Sequence, residues 1–300
     1  MKKRRGNYKF LERFSWYVPG VGGMFMLLLW LLLGAVAGSI VTLILGAVAG
    51  KEAISVYGNL LSYPIMFIPP MIYAGLKSSS QAMDNKGYKL DSNNFSPLGA
   101  GLCILLVTVC TLATGFWVDC LTSLLPEMPD FLKEALQGLT SGNFLVNFLC
   151  VSIMAPLCEE WLCRGLILRG LLKTTKLRPA VAIIISAVFF AVIHMNPWQA
   201  IPAFIIGCIF GYVYYKTGSL KLTMLMHFVN NTFALICGHI DALKDMESWL
   251  DVMPVQTFTI IAAACFLLTC LTVLAFRRIP VRAQGGNIDE IPSLFDSYED

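Results

Sequence analysis

The chain has 300 residues, of which 57% are hydrophobic and 14% charged, whereas a soluble domain is about 45–50% apolar and about a quarter charged. That balance excludes a water-soluble fold, and a net charge of +3, carried in short clusters beside apolar runs, gives no support to nucleic-acid binding. The ten cysteines lie within or against apolar stretches without a CxxC pair, so they read as packing residues and not as a disulfide framework or a zinc site.

The chain starts MKKRRGNYKFLERF, basic as a secretory signal is, but 37 uncharged residues then run from Phe14 to Gly50. A signal's apolar core is about 7–15 residues, so an uncleaved first transmembrane helix is the better reading, with cleavage after Ala35-Val36-Ala37 the lesser one. A spanning helix needs about 20 predominantly apolar residues. That template gives eight spans, roughly 24–49, 54–76, 98–124, 144–168, 179–196, 199–215, 219–238 and 253–276. The fold class is therefore an all-α polytopic transmembrane helical bundle of about eight spans, its polar site inside the bundle.

Lysine and arginine placement orients the bundle, because cytoplasmic loops are enriched in them. With the amino terminus cytoplasmic, 18 of these cations fall in inner segments and three, Lys51, Lys133 and Lys244, in outer ones. Both termini are then cytoplasmic. The chain divides into a basic amino-terminal segment 1–23, one membrane domain 24–278 with its motif core at 144–238, and an acidic tail 279–300 that reads as disordered. In the outer segment 126–143, Phe131, Leu132, Ala135, Leu136 and Leu139 repeat at helical spacing, which predicts a short amphipathic helix lying along the interface. Pro69-Pro70, Pro156 and Pro202 predict kinks inside spans, and Gly34/Gly38, Gly46/Gly50 and Gly207/Gly211 have the GxxxG spacing of close helix packing.

Ionisable groups at membrane depth cost about 2.5–3.5 kcal/mol each on insertion scales, so each demands a reason. The fourth span holds Glu159, Glu160 and Arg164, the fifth His194, the seventh His227, Asn230 and Asn231. Facing lipid, the set would cost roughly 10 kcal/mol, as much as a whole domain's stability. They must face one another. Residues four apart share a helix face, so Glu160 and Arg164 form an ion pair with the glutamate in the favourable amino-terminal position. Glu159 points elsewhere, without a cation on its own face, and a carboxylate so placed suits a general base. Phe190 and His194 share a face, as do His227 and Asn231, although spacing leaves Asn230 open. Glu159 and His194 lie equally far from the turn between spans four and five; His227 is nearer its own turn, so it needs a shifted or tilted seventh helix. Asp119 and His239, near helix ends, read as ordinary structural residues.

The runs Glu159-Glu160-Trp161-Leu162-Cys163-Arg164, Phe190-Ala191-Val192-Ile193-His194 and His227-Phe228-Val229-Asn230-Asn231 fit EExxxR, FxxxH and HxxxN. In that order on successive apolar segments they resemble the motifs of the CPBP (Abi) family, which includes CAAX proteases and bacteriocin-processing enzymes. The resemblance covers about 145–240. It implies an intramembrane glutamic endopeptidase with Glu159 as general base and His194 helping to activate water. His227 and Asn231 would stabilise the oxyanion, and Glu160, Arg164 and Phe190 would support the site. It implies a membrane-associated or lipidated peptide or protein precursor as substrate, the lipid bilayer as partner and no nucleic acid. The short loops point to a bacterial cell membrane and to precursor peptides such as bacteriocins. No cofactor is assigned; zinc is the lesser alternative, since no HExxH motif is present to hold it from one helix. The competing classes are a non-enzymatic immunity factor or partner-binding scaffold and, further off, a transporter.

Overall fold

The computed structural model describes residues 10–82, 87–140, 143–244 and 246–281, excluding the side chains of 135 and 137–140. Lys2 to Lys9 and the acidic tail beyond 281 lie outside the described residues. The described chain is helical: α1 (Val21–Gln81), α2 (Ala100–Thr122), α3 (Asp130–Thr140), α4 (Phe144–Thr174), α5 (Pro179–Val192), α6 (Pro197–Thr217), α7 (Leu220–Cys237) and α8 (Val255–Arg277). Six of these, all but α3 and α5, are long and apolar enough to cross a membrane. Their outer faces leave Leu29, Leu43, Ile72, Leu105 and Ile260 exposed, a surface that only lipid would cover at low cost. The protein is an integral membrane protein.

The first two expected spans are the two limbs of α1, which doubles back at Gly50. There φ is 85° and ψ 175°, a conformation essentially confined to glycine. Close approaches between the limbs fall at positions equidistant from that turn. A Cβ on Gly34 would strike the Met66 carbonyl, one on Gly38 would lie 2.7 Å from the Ser62 carbonyl oxygen, and one on Gly58 would lie 3.4 Å from Thr42. The expected packing role of Gly34/Gly38 is thus seen. Of Gly46/Gly50, Gly46 also packs closely, against Ile54 of the return limb, whereas Gly50 is corrected, since it makes no close approach and instead forms the turn. The amphipathic helix expected in segment 126–143 is α3, tied to the loop before α8 by an exposed Lys133–Glu247 ion pair.

Helix α4 is the central element; between Cys158 and Leu171 every residue is buried. Two π-helical stretches, Phe148–Met154 and Trp161–Leu168, flank the α-helical turn Ala155–Glu160 that carries both glutamates. π turns commonly mark functional positions because they re-aim side chains and free carbonyls. Helices α5 and α6 pack around Gly207 and Gly211, where added Cβ atoms would lie 3.2 Å from Ala187 and 3.1 Å from Ile183. That is the close contact their spacing predicts. Helices α2 and α8 pair at the edge, where Thr114 and Trp117 both reach the Thr269 hydroxyl. Asp119 accepts hydrogen bonds from Ser248 and Trp249, and His239 Nδ1 bonds the Leu235 carbonyl, so the structural reading of both fits their contacts.

Arg169, counted above among the inner-loop cations, is instead fully buried in α4. Its Nε donates to Gly165, Nη1 to Ser15 and Tyr88, and Nη2 to Phe14 and Tyr17, all backbone carbonyls. All five guanidinium N–H groups are used, and they knot the segment before α1 and the strip before α2 onto α4. Lysine has three donors and no planar fork. Arg169→Lys therefore costs about 3 kcal/mol or more, at the usual worth of hydrogen bonds to a charged group. It lowers the melting temperature of the purified protein; an unchanged melting temperature would show the knot to be dispensable.

Candidate active site

The buried turn of α4 presents its two glutamates to different partners. Arg164 Nη1 donates to Glu160 Oε1 at 2.8 Å, the i,i+4 pair expected from spacing, and both side chains are fully buried. The arrangement goes further than spacing indicated. Arg164 Nη2 donates to the Gly207 carbonyl of α6 at 3.0 Å, and His227 Nδ1 of α7 lies 3.1 Å from the same Glu160 oxygen. The pair thus joins α4, α6 and α7. The guanidinium is enclosed by rings, its Cζ 4.4 Å from the centre of Phe190 and 5.4 Å from that of Phe210. Phe190 also meets His194 and His227 edge to face at 4.9 and 5.5 Å. It is the spacer between the two imidazoles.

His194 does not lie in a helix, contrary to the expected span 179–196. Helix α5 ends at Val192, because Asn196 precedes Pro197 and the residue before a proline is driven out of the helical region. Asn196 then caps α6, its side chain accepting from Trp198 and Gln199. Met195 between them has φ 50°, a left-handed conformation uncommon for a side chain other than glycine. The result is a tight turn that presents His194, whose Nδ1 is 2.7 Å from the Phe190 carbonyl. A carbonyl only accepts, so Nδ1 carries a proton, and in the neutral tautomer this leaves the Nε2 lone pair facing away from that bond.

Glu159 turns away from Glu160. Its Oε1 accepts a hydrogen bond from the Tyr63 hydroxyl, while its buried Oε2 has no hydrogen-bond partner among the described residues. Tyr63 lies on the second limb of α1 and no sequence motif marked it. The only local signal was a Ser62-Tyr63-Pro64 interruption of an apolar run.

On α7, Asn231 Nδ2 donates to the Val151 carbonyl at 2.8 Å, and Asn230 Nδ2 donates to Asn231 Oδ1 at 3.1 Å. The first bond follows from Pro156. In the π stretch Ala155 N–H bonds Cys150, five residues back, so the next donor in register, for Val151, would be residue 156. Proline has no N–H, and Asn231 takes the vacant carbonyl. The height of His227 has an equally local cause. The α6–α7 turn is recessed, with Thr217 and Ser219 buried and the strip before α2 bonded over it through Ser92, Asn94 and Leu90. Starting deeper, α7 reaches the site in few residues.

Glu159, His194, His227, Asn230 and Asn231 all line one cavity of about 400 Å³, together with Tyr63, Phe190 and Phe210. All the sequence-predicted residues except Glu160 and Arg164 are on its wall, and those two stand directly behind His227. Leu136 of α3 also lines it, so the amphipathic helix covers part of the cavity. Among the described residues no three His, Cys, Asp or Glu side chains converge as a metal ion would require. His227 Nδ1 and Glu159 Oε1 are engaged by Glu160 and Tyr63.

A bundle of apolar helices thus encloses a carboxylate, two imidazoles and an amide in one cavity. Residues 141–233, about a third of the chain, match the family model described as type II CAAX prenyl endopeptidase Rce1-like, in line with the CPBP/CAAX protease family that the three motifs resemble. No curated protein and no solved structure matches the chain.

Proposed function

We propose that the protein is an intramembrane endopeptidase in which Glu159 activates water against a peptide bond of a membrane-associated or lipidated peptide or protein precursor. The observation that carries this reading is the state of Glu159, a buried carboxylate with one oxygen held by Tyr63 and the other without a partner among the described residues, in a cavity shared with two histidines and an asparagine. Leaving such an oxygen bare is costly, and an attacking water would satisfy it.

Glu159 Oε2 takes a proton as the water oxygen bonds to the scissile carbonyl carbon, and the carbonyl pair moves onto its oxygen. His194 Nε2, freed by the Nδ1–H bond to Phe190, accepts from the same water and orients it. The oxyanion is met by the preorganised Asn231 Nδ2 donor beside the His227 ring, which Glu160 fixes in place. When the intermediate collapses the C–N bond breaks, and the leaving amine receives the proton from Glu159. No step requires a cofactor. The same reading puts both termini in the cytoplasm of a bacterial cell, on the Lys/Arg distribution, with segment 24–278 as the single membrane domain.

The test is cleavage of a farnesylated carboxyl-terminal peptide, of the same peptide without the lipid and of a bacteriocin-type precursor by the purified chain in liposomes, followed by mass spectrometry. Cleavage of at least one, abolished in Glu159→Gln and retained in EDTA, is the expected result. A folded protein that cleaves none of the three would end the proposal.

A further inference from the structure

The cavity's general base is held by a side chain from outside the family-matched segment. Tyr63 stands on the return limb of α1, and its hydroxyl donates to Glu159 Oε1; among the described residues this is the hydrogen bond that restrains the Glu159 side chain. The phenol is itself fixed. Its ring packs against Phe67 with centroids 5.4 Å apart, and its limb is clamped to the first limb at Gly34 and Gly38. It is also joined to α4 by the Cys150 thiol, which donates to the Asn59 carbonyl at 3.5 Å. A carboxylate on a flexible stem has several rotamers to choose from; a rigid donor on one oxygen selects one and leaves the other oxygen for the proton.

We infer that Tyr63 is a positioning residue for Glu159, so that α1 completes a site whose chemical groups all come from α4 to α7. This rests on the peptidase reading above. Tyr63 acts through Glu159 and touches no reacting atom, so its loss slows turnover without weakening substrate binding.

The full chain in liposomes, given whichever of the three peptides it cleaves, is compared with Tyr63→Phe, with 4-aminophenylalanine at position 63, and with Glu159→Gln. Tyr63→Phe keeps the ring and its packing, and its melting temperature should match wild type. Its kcat falls about 10- to 100-fold, the worth of one hydrogen bond to a charged group, with KM within about two-fold. The amino group restores a donor and with it most of kcat. If Tyr63→Phe cleaves at the wild-type rate while Glu159→Gln is inactive, the positioning role is wrong and the peptidase reading stands. If Tyr63→Phe loses activity with a raised KM or a lowered melting temperature, and the amino group does not rescue it, Tyr63 is a packing residue and the inference fails. An active Glu159→Gln overturns the peptidase reading itself.

Discussion

Glu159→Gln lowers kcat for peptide cleavage by about 10³-fold, within the range of a lost general base, and leaves the melting temperature near wild type. Glutamine is nearly isosteric and its Oε1 still accepts from Tyr63, so the cavity keeps its shape; only the proton acceptor is lost. The adjacent Glu160→Gln has the opposite signature. That side chain is fully buried, and its Oε1 serves Arg164 and His227 at once. Neutralising it leaves the Arg164 charge without its counter-charge, so stability falls first and activity follows through the loosened His227. Side-by-side kinetics and melting curves for the two variants separate an enzyme from a scaffold. An immunity factor or scaffold whose polar cluster only joins helices would treat both substitutions as packing changes, and Glu159→Gln would keep its phenotype. Equal effects of the two on stability, with no specific kinetic loss at Glu159, would sink the assignment.

Arg164→Met destabilises the protein by about 3–5 kcal/mol, because it leaves Glu160 as a lone buried charge. In melting temperature that is a drop of about 10 °C for a chain of this size. The methionine fills the space between Phe190 and Phe210, so the loss measures charge more than volume. The double variant Glu160→Gln with Arg164→Met recovers much of the stability, since no uncompensated charge remains and the amide oxygen introduced at position 160 still accepts from His227 Nδ1. Thermal unfolding in one detergent decides the matter. A single variant that melts with wild type would mean that the pair is worth little, and recovery absent from the double variant would mean that Arg164 matters chiefly through the Gly207 carbonyl it binds on α6.

Much of this site was legible before any coordinates. Lipid makes an unpaired charge so costly that the residues out of place in the apolar runs had to converge, and helical periodicity paired Glu160 with Arg164 and turned Glu159 away. The fold-back at Gly50 appeared as a break between two apolar runs. Less legible was the end of α5: the helix template ran on through His194, although Asn196-Pro197 carried the stop signal. By sequence Arg169 reads as a loop cation because charge near the end of an apolar run is usually solvated, whereas here five carbonyls replace the solvent.

Residue order alone was enough to establish a helical membrane bundle, the membership of its polar centre and the family that centre resembles, because apolar run length and intramembrane charge are local properties with large free energies. The three-dimensional packing was needed to learn that Tyr63 holds Glu159, that Glu160 is shared between Arg164 and His227, and that Asn231 takes the carbonyl left vacant by Pro156. Those contacts join distant helices, and their geometry depends on helix rotation, π register and a recessed turn, none of which residue spacing along one helix constrains.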